Sequence, residues 1–300
     1  MIKFNIIKHR TTWLSISAVM VTVAIIALMA WGLKFGIDFT GGSLMELKFS
    51  GSQPSVVAVQ EKLAELEITS VIVQPTEDSI ILRFKESDEN SHQRVKEKLA
   101  SLDEAEGGME ELRFEAIGPS VGQELRSKSF WLMFFVLLII IIYIALVFQK
   151  VSRPVPSWKY GVIAVLSLFQ DLIIVLGVFA FLGHFYGVEI NTTFVVAVLT
   201  ILGYSVNDTI VVFDRTRENL PKSNEDFPTT VNNSLNQTLV RSLSTSFTTV
   251  LVLLAIFFLG GDSISDFVLA LIIGIIFGSY SSVFLASPLL VVWEKWQRRA

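Results

Sequence analysis

The sequence predicts an α-helical integral membrane protein with six transmembrane helices and a small α+β, ferredoxin-like domain between the first two of them. Of its 300 residues, 52% are hydrophobic and only 17% are charged. The mean hydropathy is +0.58, far above that of a soluble domain. The polar segment 36–122 shows strand and helix patterns in the order βαββαβ, which predicts the extra domain.

Six apolar runs are long enough to cross a bilayer, which takes about 20 residues. They are residues 12–33, 130–148, 160–183, 191–213, 240–259 and 266–292. The first run is longer than the apolar part of a cleavable signal peptide, about 7 to 15 residues, so we predict a retained helix. The chain then divides into an N-terminus with helix 1 (1–35), an outer domain (36–122) and a five-helix membrane domain (123–300).

The distribution of basic residues predicts the orientation. The short loops 149–159 and 214–239 carry Lys and Arg, whereas loops 184–190 and 260–265 carry none. By the positive-inside rule, both termini are expected in the cytoplasm and residues 36–128 outside it. Segment 34–128 holds 11 Lys+Arg and 18 Asp+Glu, a net charge of −7, which argues against a nucleic-acid partner.

The outer segment has the periodicity of a small folded domain. Apolar residues recur at strand or helix spacing in residues 44–49 (strand), 56–66 (helix), 71–73 and 80–84 (strands), 91–102 (helix) and 112–116 (strand).

Glycine-rich junctions flank this domain. Gly36, Asp38, Gly41 and Gly42 precede it, and a predicted turn at 118–122, with Gly118 and Pro119, follows it. Such residues make turns, so loop geometry alone is one interpretation. The other is a hinge that lets the outer domain tilt against the membrane.

Asp208 lies inside the apolar run of span 4. A central aspartate costs roughly 2.5 to 3.5 kcal/mol to insert, so it marks a functional site by default. Helical spacing gathers Thr200, Tyr204, Asn207, Asp208 and Arg215 onto one stripe, which we expect to face protein or water.

Arg241 begins span 5 on the side where span 4 ends, so it is the predicted partner of Asp208. Hydroxyl side chains follow it at 244, 245, 248 and 249, where they can bridge helices. Together with Asn207, these hydroxyls, Thr245 among them, are suited to a proton path. One interpretation is a static ion pair that fixes helix register. The other is a switch: burial favours the protonated acid and a nearby guanidinium the carboxylate, so movement of Arg241 loads and expels a proton.

Asp171, at the centre of span 3, is as costly as Asp208 and joins the candidate proton path. In span 6, Gly274, Gly278 and Ser282 recur every four residues, which predicts a face for close helix packing.

Enzymatic and cofactor chemistry finds no support in the sequence. There is no cysteine, and no nucleotide loop, metal-ligand cluster or nucleophile constellation, so we expect no cofactor and no metal. We also find no internal repeat.

Three segments resemble the SecF family of bacterial protein-export membrane subunits: residues 35–42 (FGIDFTGG), 203–219 (GYSVNDTIVVFDRTREN) and 233–249 (NSLNQTLVRSLSTSFTT). The resemblance covers essentially the whole chain. It implies half of a structure similar to resistance-nodulation-division (RND) transporters, completed by SecD in a heterodimer. That assembly would use protons to help export unfolded polypeptides across the bacterial cytoplasmic membrane, beside SecYEG, SecA and YajC. By position, Asp208 and Arg241 match the family's proton-pathway residues, and Asp171 matches a family position of less defined role.

Two alternatives remain open from the residues. The first is a proton-driven RND-type exporter of small molecules or lipids, against which the small outer domain argues, since substrate pockets of about 300 to 1,000 Å³ need several walls. The second is a structural subunit in which Asp208 and Arg241 only hold helices together.

Overall fold

The computed structural model describes residues 4–51, 53–66, 68, 70–76, 78–102, 108–147, 156–261 and 264–299. The chain divides into two compact units, one formed by Met1–Lys34 with Trp131–Ala300 and the other by Phe35–Phe130. Residues 148–155, which hold two of the basic residues that predict the orientation, lie outside the described part.

Helix α1 (Arg10–Trp31) comes first and belongs to the membrane unit. The outer unit then contains α2 (Ile37–Thr40), β1 (Gly42–Phe49), α3 (Val56–Ala64), β2 (Ile72–Pro75), β3 (Ile80–Phe84), α4 (Glu89–Ala100) and β4 (Met109–Ile117). The strands form one sheet in the order β2-β3-β1-β4, and every neighbouring pair is antiparallel. The predicted order βαββαβ is therefore found; the ferredoxin-like assignment stays an interpretation.

The inner face of the sheet forms the core of this unit, because β1 alternates apolar and polar side chains. Met45 pairs with Leu82 of β3 on one side and with Phe114 of β4 on the other. Helices α3 and α4 cover that face with Leu63, Val95 and Leu99, all buried. Both helices begin at capping side chains: Ser55 accepts from Ala58 N (3.2 Å) and Asp88 from Ser91 N (2.8 Å).

The remaining helices belong to the membrane unit, except that the first part of α5, up to Phe130, belongs to the outer unit. They are α5 (Pro119–Val147), α6 (Ser157–Tyr186), α7 (Thr192–Asn219), α8 (Phe227–Leu259), α9 (Ser265–Ser281) and α10 (Ser287–Arg299). A π-helical segment, Ser282–Ala286, joins α9 to α10, so that these three form one span. Among the described residues, six helices are long and apolar enough to cross a membrane, which confirms the predicted number of spans.

Two predicted loop features differ from the structure. The turn expected at 118–122 is the first turn of α5, which begins at Pro119, since proline is tolerated at the first helical position. The connection expected at 214–239 shrinks to about 220–226, because α7 runs to Asn219 and α8 starts at Phe227. Pro228 lies in the first turn of α8, where it breaks no helical hydrogen bond.

Helices α6 and α7 and the last span form the buried centre of the membrane unit, whereas α5 is almost wholly exposed. Glycines allow the closest approaches. A Cβ on Gly177 of α6 would lie 2.5 Å from Ala24 Cβ of α1. On α9, a Cβ on Gly274 would overlap the Ile201 side chain, and one on Gly278 would lie 3.0 Å from Ser205 Cβ. The predicted packing face of span 6 is therefore confirmed, with α7 as its neighbour.

Candidate functional site

Asp171 of α6 is completely buried in the membrane unit. Its Oδ2 accepts two hydrogen bonds, from Ser205 Oγ of α7 at 2.5 Å and from Ser281 Oγ of α9 at 2.8 Å. Its Oδ1 is buried and meets no hydrogen-bond partner among the described residues. One carboxyl oxygen thus joins three helices, while the other has unused hydrogen-bonding capacity.

Asp208 of α7 is the second buried acid, only 4% exposed. Three hydroxyl groups surround its carboxyl group: Ser242 and Ser246 of α8 and Ser279 of α9. Within the described chain, Asp208 Oδ2 and Ser242 Oγ are nevertheless both buried without a partner at hydrogen-bonding geometry. The acid therefore lies in a polar pocket whose hydrogen bonds are only partly made.

Hydroxyl contacts extend this polar pocket. Tyr204 OH donates to Ser246 Oγ at 3.2 Å, and Ser246 Oγ lies 2.5 Å from Ser279 Oγ. Ser279 and Ser281 are two residues apart on α9, yet one lies beside Asp208 and the other bonds Asp171. The short stretch 279–281 therefore connects both acids.

The π-helical segment begins directly after this stretch. Its first residue, Ser282, contacts Thr209 Oγ1 at 2.9 Å and donates to the carbonyl of Gly278 at 2.9 Å. Such π segments interrupt the regular hydrogen-bond pattern and occur frequently at functional sites. The irregular part of the last span therefore lies next to both acids.

Arg241 does not form the predicted ion pair. Its side chain is exposed on α8, and no nitrogen of it approaches Asp208 within 4.0 Å. It remains close enough to act on the carboxyl group electrostatically. The serines at 242 and 246 take the place beside Asp208 because they lie on the face of α8 that packs against α7 and α9.

The predicted stripe on α7 is also divided. Asp208 is buried, whereas Thr200 and Asn207 are exposed, and Arg215 binds Gln237 Oε1 of α8 through Nε at 2.5 Å. Thr245 lies on the exposed face of α8 and donates to the Arg241 carbonyl at 2.8 Å. The structure therefore brings neither Asn207 nor Thr245 to the buried acids. Asn207 is instead exposed on α7, and Arg241 and Thr245, four residues apart, are exposed on one side of α8.

The two glycine-rich junctions pack against each other within the outer unit. Gly41 has φ +73°, and a Cβ on it would lie 2.9 Å from Pro119 Cα. Gly42 has φ +120°, and a Cβ there would lie 2.6 Å from the Phe84 carbonyl oxygen. Gly36 precedes α2, in which Asp38 is half-buried, whereas a Cβ added to Gly118 would meet no described atom within 4 Å. Tight backbone packing thus explains Gly41 and Gly42, and a hinge at these junctions stays a prediction.

The sequence interpretation missed the five serines that contact the acids: Ser205, Ser242, Ser246, Ser279 and Ser281. Their signal was small polar residues at helical spacing inside apolar runs, such as 242 and 246, four apart. The spacing of Gly274, Gly278 and Ser282 predicts helix packing alone, whereas the structure also places Ser279 and Ser281 of this region beside the acids. In the part of the chain that the structure describes, no group of three His, Asp or Glu side chains is arranged to hold a metal.

Comparison with known proteins identifies two family regions. A family model described as protein export membrane protein SecD/SecF, C-terminal, matches residues 95–296, and one described as the SecD/SecF GG motif matches residues 27–53. The chain is 41% identical to the protein translocase subunit SecF of Thermobaculum terrenum, over 97% of this chain and 94% of that protein. It is 38% identical to the SecF subunit of Desulfurispirillum indicum, over 96% and 90% of the two chains.

Solved structures resemble the whole chain as well. The crystal structure of SecDF from Thermus thermophilus, a translocon-associated membrane protein, superposes with a TM-score of 0.84 at 31% identity, over 98% of this chain. A super-membrane-facing form of SecDF gives 0.70 at 30% identity over the full chain. This chain spans only 39% and 40% of those two longer chains.

Proposed function

The chain belongs to the SecF family of protein translocase subunits, and from this premise we propose that it forms, with SecD, a unit that uses the proton-motive force to assist polypeptide export. The observation that carries the proposal is Asp208, a buried acid within a transmembrane helix, with hydroxyls around it and Arg241 nearby but unpaired. Ionisable groups at such depth mark proton or ion pathways.

The proposed cycle uses the distance between Asp208 and Arg241. With Arg241 away, burial favours the neutral acid and Asp208 takes up a proton; when Arg241 approaches, the carboxylate is favoured and the proton leaves. One proton crossing 100 mV releases about 2.3 kcal/mol, which biases a two-state element roughly 50-fold. Asp208 and Arg241 form no direct ion pair in this structure, which supports the switch over a static ion pair that only holds the helices together.

We further propose that Asp171 senses the state of Asp208 through α9. Ser279 and Ser281 lie on the same turn and contact different acids, so a rotation of this turn alters both sets of contacts. The adjoining π-helical segment offers a place where such a rotation is absorbed. Gly36, Asp38, Gly41, Gly42, Gly118 and Pro119 are the proposed junction that carries movement to the outer unit.

The proposed surroundings follow from the family. SecD supplies the second half, SecYEG and SecA the channel and motor, and YajC an accessory partner, with an unfolded polypeptide as substrate. The membrane is the bacterial cytoplasmic membrane, with both termini in the cytoplasm. The exporter of small molecules or lipids remains the alternative, against which the small size of the outer unit argues, since substrate pockets need several walls.

Asp208→Asn tests the proposal in cells that depend on this chain. The amide keeps the size of the side chain but cannot titrate, so we expect normal insertion and assembly with SecD and loss of proton-dependent export, measured as accumulation of unprocessed precursor. Asp214→Asn is the matched control, because Asp214 is an exposed acid on the same helix. Normal export by the Asp208→Asn variant at low proton-motive force would contradict the proposal.

The double exchange Asp208→Arg with Arg241→Asp separates a switch from static pairing. A static pair tolerates the exchange, whereas a carboxylate that titrates among the serines of α8 and α9 does not. We therefore expect export to stay lost in the double variant. Restored export would instead support the structural subunit.

A further inference from the structure

A cavity of about 250 Å³ opens in the membrane unit between the start of α1 and the start of α8. The side chains that line it include Asn5, Lys8, Arg10, Thr229, Asn232 and Asn233. Two cations and several hydrogen-bonding groups therefore face one concave space, and the export cycle proposed above uses none of them.

Hydrogen bonds hold the walls of this cavity together. Asn236 of α8 accepts from Phe4 N through Oδ1 at 2.8 Å and donates to the Phe4 carbonyl through Nδ2 at 2.9 Å. One turn earlier, Asn232 Oδ1 accepts from Ile7 N at 3.2 Å. The segment before α1 is thus fastened to α8, which fixes Lys8 and Arg10 beside the polar start of that helix.

The two cations that line the cavity form no ion pair within the described residues. Neither Lys8 nor Arg10 has a carboxylate within 4.0 Å in the described ranges. Glu225, which accepts from Asn233 Nδ2 at 2.6 Å, is the acid next to this lining but is not part of it, so the lining itself carries two positive charges and no negative one. The cavity therefore favours an anion with several acceptor oxygens.

The depth of the cavity indicates the source of that anion. Arg10 and Lys8 precede the apolar run that begins at residue 12 by two and four residues, which is roughly 3 to 6 Å at 1.5 Å per residue. This is the level of the lipid headgroups, which flank a hydrocarbon layer of about 30 Å. Basic pockets between transmembrane helices at this level are suited to acidic headgroups.

We infer that this cavity holds the headgroup phosphate of an anionic phospholipid. Lys8 and Arg10 supply the charge and the Thr229 hydroxyl supplies a hydrogen bond, while the Asn232 amide stays in the wall, where it accepts from Ile7 N and donates to the Phe4 carbonyl. Lipid phosphate is favoured over free phosphate because the cavity opens where the membrane itself presents headgroups at high local concentration. The inference is independent of proton coupling, since it involves neither Asp208 nor Asp171.

Native mass spectrometry of the purified full chain with its SecD partner tests this, with phosphatidylglycerol as the probe. We expect Lys8→Gln with Arg10→Gln to bind phosphatidylglycerol about 30-fold more weakly, given the contribution of each basic residue near an anionic surface. Lys8→Arg with Arg10→Lys should retain binding. The matched control is Lys222→Gln with Lys295→Gln, which removes two basic residues outside the cavity and should change little. An equal loss in this control overturns the inference.

Lys8 and Arg10 also contribute to the orientation of α1 in the membrane, so their removal can alter the topology of the chain. A second variant therefore tests the cavity without removing either residue. Thr229→Glu places a carboxylate in the cavity without removing a basic residue, and it should abolish phosphatidylglycerol binding. Phosphatidylcholine should bind no variant specifically, and millimolar inorganic phosphate should not displace phosphatidylglycerol. Displacement by inorganic phosphate, or retained phosphatidylglycerol in Thr229→Glu, contradicts a lipid headgroup site.

Discussion

At the scale of the residue, the two buried acids differ in how far their hydrogen bonds are satisfied. Asp171 is held by Ser205 and Ser281, both donating to the same oxygen. Each acid has one buried oxygen without a partner in the described chain, Asp171 Oδ1 and Asp208 Oδ2, but the hydroxyls around Asp208 are less regularly placed than the two donors on Asp171. An acid with fixed donors is suited to holding helices together, and one with loosely arranged donors is suited to changing its proton. Asp208 is therefore the better candidate for the titrating group.

Removing the Ser281 hydroxyl tests the structural part of this distinction. Ser281→Ala leaves Asp171 Oδ2 with a single donor in a fully buried place, so we expect a loss of about 1 to 3 kcal/mol in the free energy of unfolding. Ser244→Ala is the control, since Ser244 is exposed on α8. Denaturant unfolding of the purified chain in detergent measures both. Equal stability of the two variants would mean that the Asp171 contacts do not hold the helices together.

At the scale of the element, the sequence predicts what depends on local periodicity. The six spans and the βαββαβ order follow from apolar runs and alternation. The rotation of each helix about its axis does not follow from the sequence. A stripe of polar residues on α7 is compatible both with burial inside this chain and with burial against a partner. Asp208 is buried while Asn207, one position earlier, is exposed. The choice of Ser242 rather than Arg241 beside Asp208 likewise depends on how α8 is rotated against α7 and α9.

The contact between α7 and α9 gives a sharp test at this scale. A Cβ on Gly274 would overlap the Ile201 side chain, so Gly274→Ala should cost about 1 to 3 kcal/mol of stability through overpacking. Gly203→Ala is the matched control, because nothing lies within 4 Å of its added Cβ. There we expect no loss, or a gain of about 0.5 to 1 kcal/mol from the better helix former. Thermal unfolding followed by circular dichroism compares them, and a similar loss in both would show that the α7–α9 contact is not tight.

At the scale of the whole molecule, the distribution of exposed residues on the membrane helices is uneven. Met29 of α1 is 83% exposed and apolar, as suits a lipid-facing position. The exposed residues of α7 and α8 include Asn207, Arg241 and Thr245, here called the polar face, which alternate on α8 with exposed apolar residues such as Val240 and Phe247. Polar and charged side chains are costly against hydrocarbon and usually face protein or water. This face is therefore where we expect the proposed SecD half to pack.

Site-specific photo-crosslinking tests that placement in the membrane. A benzophenone amino acid at position 207 or 245 should crosslink to co-expressed SecD, because both positions lie on the polar face. The same group at position 29 should not, since Met29 lies on the apolar exposed side of α1. Crosslinks from 29 as strong as those from 207 and 245, or none from 207 and 245 in a complex that still co-purifies, would place the second half elsewhere. In that case Arg241 would need another partner, and the movement proposed for it would have to be driven from a different surface.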